Sequence, residues 1–267
     1  MNATRTRVRR GFTIVEILMV IGVIGVLLAI TLPAISSVRG AGRAGRCQSN
    51  LRQLGVAATN YALQNRDRYP AAILFEMTSS GLATKCWDYE QRADGTVRPG
   101  ILWAFISSPS DVQQCPDFLG PSTFGNDPHT GYNYNTTYIG AEGRFPEQDA
   151  NGNWLDGWKV ARQGLPSSRH RRTSTTALFG EGGWRGGANK FMRAPSNAVE
   201  NDLSTIYAGT QAFRHSGCTH VCFLDGHVSG MCGCHEGPQA TAPLLEGVAD
   251  FPRNGFLSED DANYDPR

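Results

Sequence analysis

Nothing in these 267 residues spells a catalytic nucleophile: there is no G-x-S-x-G, no H-E-x-x-H and no phosphate-binding glycine loop. His235-Glu236 begins a zinc-protease pattern but lacks the second histidine. No run of acids has EF-hand-like spacing. With these absent, no enzymatic activity is expected, and neither a cofactor nor a metal ligand is assigned. Net charge is also small, +1, so no electrostatic pull toward nucleic acid is implied. No internal repeat and no linker stand out. The length then suits one domain of about 200 residues plus a separate N-terminal segment.

That N-terminal segment is the most informative part of the chain. Phe12 to Leu32 reads FTIVEILMVIGVIGVLLAITL, 21 residues with a single charge, Glu16. As a helix it is about 31 Å long, the thickness of a bilayer core. Arg5, Arg7, Arg9 and Arg10 precede it, which by the positive-inside rule keeps the N-terminus cytoplasmic. Arg39, Arg43 and Arg46 follow it and weaken that asymmetry. An ordinary signal peptide has a shorter apolar region and no acid one turn from its start. An intramembrane acid needs a partner and marks function.

After Pro33 the pattern becomes amphipathic. Cys47, Leu51, Leu54, Ala58 and Tyr61 recur at spacings of 4, 3, 4 and 3, one stripe of a helix that runs to about Arg66, with Pro70 marking the exit. The stripe is expected to pack on a sheet, not to hold a ligand. Gly40, Gly42 and Gly45 weaken the helix locally.

The order Arg9-Arg10-Gly11-Phe12-Thr13-Ile14-Val15-Glu16 resembles the processing site of type IV prepilins and type II secretion pseudopilins. The resemblance implies that a prepilin peptidase cuts between Gly11 and Phe12 and methylates the amine of Phe12. It also implies that Glu16, fifth in the mature chain, pairs with such an amine and sets the register of a subunit entering a filament. Pro33 fits the same pattern. The segment CQSNLRQLGVAATNYALQNRDRYP, Cys47 to Pro70, is similar to the continuation of a large pilin-like family of planctomycetes and related bacteria. Two further features match that family: a strand running into Gly180-Glu181, and the C-terminal His-x9-Asp-Gly signature, here His215 with Asp225-Gly226.

The globular part carries softer signals. Gly100 to Ile106 is a short buried helix or strand, and Cys115-Pro116-Asp117 is a turn. Thr176 to Phe179 reads as a strand. Residues 120–168 are rich in Gly, Pro, Asn and Asp, so a long surface excursion is expected. The acids Glu259, Asp260, Asp261 and Asp265 suggest a solvated, disordered end. Asp225-Gly226 lies between two apolar runs and predicts a two-residue type I′ hairpin turn. Leu224 then faces His227, Phe223 faces Val228 and Cys222 faces Ser229, with Val221, Phe223 and Val228 toward the core. His215 and Asp225 lack an accompanying nucleophile. Asp225 is read as a turn former and His215 as bonding nearby backbone.

Four of seven cysteines, Cys218, Cys222, Cys232 and Cys234, lie near this hairpin. Outside the cytosol they suggest disulfides. Cys218 and Cys222 are about 13 Å apart along a strand and cannot bridge each other. On the predicted register Cys232 and Cys234 fall on the opposite face. A metal held by His220, Cys222 and His227 is the alternative use of this cluster.

The expected architecture is α+β and pilin-like. A leader (1–11) precedes a transmembrane helix (12–33), its amphipathic continuation (34–69) and an extracytoplasmic domain (70–267) with an antiparallel sheet. The expected role is a single-pass inner-membrane subunit of a type II secretion or type IV pilus-like filament. Its partners are then the peptidase, other pilin-like subunits and the inner-membrane assembly platform. The alternative is an anchored binding protein that shares the N-terminus and never polymerises.

Overall fold

A computed structural model describes residues 13–107, 112–122, 127–129, 131–140, 166–197, 209–238 and 240–267. The expected cleavage site, Gly11 and Phe12, lies outside them, as does 141–165 of the expected surface excursion. The chain divides into two compact units, 1–42 and 43–267.

The first unit is helical. Helix α1 (Ile14–Gln64) begins in it and continues without a break past Pro33 and the three glycines. Its N-terminal portion is long and apolar enough to cross a membrane, and its large apolar side chains there are exposed. Its start is held by a reciprocal cap. The Thr13 amide and hydroxyl donate to Glu16 Oε2 at 2.8 and 2.9 Å, and the Glu16 amide donates to Thr13 Oγ1 at 3.3 Å. This is the Thr-x-x-Glu capping box. It gives Glu16 a local partner that the sequence reading did not foresee.

In the second unit the predicted stripe is buried: Cys47, Leu51, Leu54 and Ala58 are inaccessible to solvent, while Tyr61 is half-buried. The stripe packs close to a five-stranded sheet. A Cβ on Gly55 would come within 2.6 Å of the Cys222 sulfur. Gly55→Ala therefore sets two effects against each other. Helix propensity favours alanine by about 1 kcal/mol, whereas overpacking a filled interface costs about 1–3 kcal/mol. We expect net destabilisation in thermal melts, relieved when Cys222→Ala is added. A stabilised single variant would show that the helix can shift away from the sheet.

Strands β1 (Ile73–Thr78), β2 (Gly81–Cys86), β3 (Tyr89–Gln91) and β4 (Val97–Pro99) form an antiparallel meander. Residues Ile101–Phe105 then form a 3-10 turn, which settles the ambiguous apolar run. The main sheet contains β5 (Tyr132–Asn135), β6 (Ala177–Glu181), β7 (Phe191–Met192), β9 (Thr219–Phe223) and β10 (Val228–Met231), in the order β10-β9-β6-β5-β7. A small pair joins β8 (Gln211–Ala212) to β11 (Asn254–Gly255), and α2 (Ala242–Ala249) precedes β11. The fold is α+β. Its main sheet is mixed, because β5 and β7 run parallel.

Two expectations fail here. Residues 132–135, which by composition belong to a surface excursion, form a wholly buried interior strand between β6 and β7. The acidic end is packed, with Tyr264 fully buried and Asp261 accepting the Ser196 amide at 3.0 Å.

The hairpin register is also off by one residue. Val228 faces Cys222 and Ser229 faces Val221. Gly226 donates to the Phe223 carbonyl and Phe223 donates to the His227 carbonyl, both at 2.9 Å. The loop is thus three residues, Leu224-Asp225-Gly226, and of these only Gly226 has a positive φ, +86°. This is a type I turn closed by a glycine bulge, not a type I′ turn. The two-residue turn with positive φ at both positions occurs nearby, at Ser216 (55°) and Gly217 (80°), between His215 and Cys218.

Candidate functional site

The corrected register decides the cysteine chemistry. It continues the β9–β10 pairing outward to Cys218 opposite Cys232, and these two form a disulfide. Cys222 and Cys234 are free thiols, so of the four cysteines near the hairpin two are bonded. Placing Cys232 on the opposite face followed from the two-residue loop. β9 is buried on both faces, so Cys222 and His220 also face core. The hairpin metal set separates: His220 turns to Glu181, Cys222 meets the helix at Gly55, and His227 bonds Asp225.

The two signature residues have different surroundings. Asp225 accepts from the amide of His227 at 3.1 Å and from its ring at 2.5 Å, which serves the turn. His215 does more than bond backbone. Its Nε2 lies 2.7 Å from Glu181 Oε1, and its Nδ1 lies 3.1 Å from Asp117 Oδ2. Glu181 ends β6, where pairing of Gly180 with Val221 brings His220 alongside. His220 Nδ1 is 3.1 Å from the same Oε1.

Two cysteines complete the cluster. Helix α1 supplies Cys47 from its buried stripe, and the Cys115-Pro116-Asp117 turn supplies Cys115. The turn is closed by the Phe118 amide on the Cys115 carbonyl at 3.1 Å. The Cys47 thiol donates to Glu181 Oε1 at 2.6 Å, and the two sulfurs are 3.7 Å apart. Tyr132 on β5 donates its hydroxyl to Cys47 Sγ at 3.3 Å. One ligand atom each from Cys47, Cys115, Glu181 and His215 falls within 4.8 Å of every other.

The electrostatics follow from this crowding. The contact with the Cys47 sulfur holds the Cys115 thiol down at about 5, against its burial. That same contact, together with burial and the Glu181 charge, pushes Cys47 far up. Burial would raise Glu181, but the bonds from His215 and His220 prevail and hold it at about 2. Burial would lower His215, but its bonds to Cys115 and Glu181 prevail and lift it to about 9. One atom remains unpaired: Glu181 is fully buried, and its Oε2 has no hydrogen-bond partner. Asp117 also borders a surface cleft with Phe118, Trp184 and Arg214, so the cluster lies one residue from solvent.

From the sequence, Cys47 reads as core stripe, Cys115 as part of a turn and Glu181 as a strand end, and none of the three as a site residue. The four residues come from separate segments, with Cys115 lying 68 residues beyond Cys47 and His215 lying 34 beyond Glu181. No local spacing announces such a set. The one available signal was that all four sit within or beside the short motifs at Cys47, Cys115-Pro116, Gly180-Glu181 and His215.

Comparison with known proteins finds no matching family model, no matching curated protein and no matching solved structure. What is established is an α+β domain on a long helix whose N-terminal portion is apolar enough to span a bilayer.

Proposed function

We propose that this chain is a pilin-like structural subunit, anchored in the inner membrane by α1, processed at Gly11–Phe12 and assembled into a secretion or type IV pilus-like filament. The observation that carries the reading is the placement of Glu16. It is the sole charge in 21 apolar residues, four positions after the residue that a basic leader and a glycine mark as the mature start. A carboxylate in hydrocarbon needs a cationic partner, and the amine freed at Phe12 of a neighbouring subunit supplies one. The uninterrupted course of α1 into a buried stripe suits a subunit that carries its folded domain on a membrane helix.

Two measurements test this. Mass spectrometry of the membrane-extracted protein should find N-methylated Phe12 as the first residue. A mature chain beginning beyond Pro33 would mean ordinary signal cleavage. The second separates assembly from capping. Glutamine also serves the capping box, so Glu16→Gln keeps the helix start and removes only the charge. Filament incorporation should collapse in Glu16→Gln while membrane insertion persists. Normal incorporation would leave Glu16 as a cap and sink its role in assembly.

A further inference from the structure

We propose that Cys47, Cys115, Glu181 and His215 bind one transition-metal ion, Zn2+ by preference, in a four-coordinate site that ties helix α1 to the main sheet. The proposal is independent of the filament reading.

Donor chemistry chooses the ion. Two thiolates, an imidazole and a carboxylate suit a borderline-soft cation and do not suit Ca2+ or Mg2+, which take oxygen ligands. Geometry agrees. With Zn–S bonds of about 2.3 Å, the edge of a tetrahedron between two sulfurs is about 3.8 Å. The Cys47–Cys115 separation is 3.7 Å. The surroundings are those of a supported site. Asp117 holds Nδ1 of His215, so the ring presents Nε2 to the cluster, the carboxylate–histidine arrangement that orients metal-bound imidazoles. His220 and Tyr132 brace Glu181 and Cys47 in the same way.

The competing use of these atoms is a second disulfide, Cys47–Cys115. A disulfide would remove both thiols and leave the buried Glu181 carboxylate with Oε2 still unpartnered. A divalent cation takes one Glu181 oxygen together with both sulfurs, while His220 stays on the carboxylate. Its ligands bind deprotonated, so loading releases protons to solvent. Four ligands from α1, the Cys115 turn, β6 and the tight turn before β9 would make the ion a clamp across four separate chain segments.

The test uses the full chain in detergent, purified without reductant. Elemental analysis should give one zinc per chain. After chelation, Co2+ alone should restore the strong visible absorption of tetrahedral, thiolate-bound cobalt. Cys115→Ser and His215→Ala should abolish that spectrum, and Cys234→Ser, outside the cluster, should keep it. Asp117→Asn should weaken Zn2+ affinity by about 10–100-fold through the His215 ring. Thiol titration of the denatured protein should find five thiols, the seven cysteines less the two in Cys218–Cys232. Three thiols would assign Cys47–Cys115 as a disulfide and overturn the site. So would zinc that survives in both ligand variants. If those variants fail to fold, the wild-type cobalt spectrum decides alone, and absence of thiolate bands overturns the proposal.

Discussion

Lys190→Met should destabilise the domain by about 3–5 kcal/mol, the cost of leaving buried charges without their counter-ion. Lys190 Nζ lies 2.8 and 2.7 Å from the two oxygens of Asp88 and 2.6 Å from Asp127 Oδ2, and all three side chains are at most 3% exposed. The ammonium also sits 3.9 Å from the centroid of the Tyr89 ring. In a domain of this size the loss corresponds to a melting temperature lower by roughly 6–20 °C. The deficit should depend on pH. Burial pushes the Asp88 carboxyl up to about 7, and the Lys190 charge works against that rise. Without the lysine the folded state favours the protonated acid still more. The wild-type carboxyl is itself protonated below about 7, so the extra penalty from Asp88 in the variant is absent there and grows as pH rises from that value toward the variant's higher one. The gap between variant and wild type should therefore narrow on acidification to below about pH 7, and Asp88→Asn should recover part of it at alkaline pH. A gap that stays constant with pH would assign the loss to packing.

The helix was open to sequence reasoning because period and burial coincide there: Cys47, Leu51, Leu54 and Ala58 need only a 3.6-residue repeat to be placed. The presence of β9 and β10 was equally plain. Their register was not, because Asp-Gly permits both a two-residue turn and a three-residue loop with a bulge. The register is seen only in pairs outside the turn, such as Val228 with Cys222 and Ser229 with Val221. That single residue of slip carried Cys232 to the wrong face and hid its pairing with Cys218, although a disulfide among these cysteines is expected from the sequence. Strand β5 was invisible for a different reason. Tyr132-Asn133-Tyr134-Asn135 reads as loop by composition, yet both asparagines are buried. Asn133 donates to the Thr210 carbonyl at 3.2 Å, and Asn135 donates to Ala177 and Tyr264 carbonyls at 2.8 and 2.9 Å. Polar residues in a core strand are tolerable when distant backbone satisfies them, and sequence does not show distant backbone. The cluster at Glu181 was hidden by the same fact, since its members meet only after the sheet has formed.

Deletion of residues 259–267 should be more damaging than the loss of Lys190, although by composition this is a mostly acidic end. Tyr264 is fully enclosed, and removing a buried aromatic ring costs about 3–5 kcal/mol. Its hydroxyl accepts from the Leu257 amide at 2.8 Å, and its carbonyl is one of the two acceptors for Asn135. The Pro266 carbonyl receives the amides of Arg171 and Arg172 at 2.7 and 3.0 Å, and the Asp265 carbonyl receives the Thr176 hydroxyl at 3.1 Å. After deletion Thr176 keeps the Arg172 carbonyl, Asn135 keeps the Ala177 carbonyl, and the amides of the exposed Arg171 and Arg172 turn to water, so the ring carries most of the loss. Not every contact there counts equally. Arg267 forms a pair with Asp265 at 2.6 Å, but its side chain is largely exposed and the pair is worth at most about 1 kcal/mol. Arg267→Ala should therefore melt close to wild type, Tyr264→Phe should lose a small fraction of the stability, and the deletion should fail to give a cooperative melt. A deletion variant that unfolds cooperatively near the wild-type temperature would show that the acidic end is the solvated tail its composition suggests.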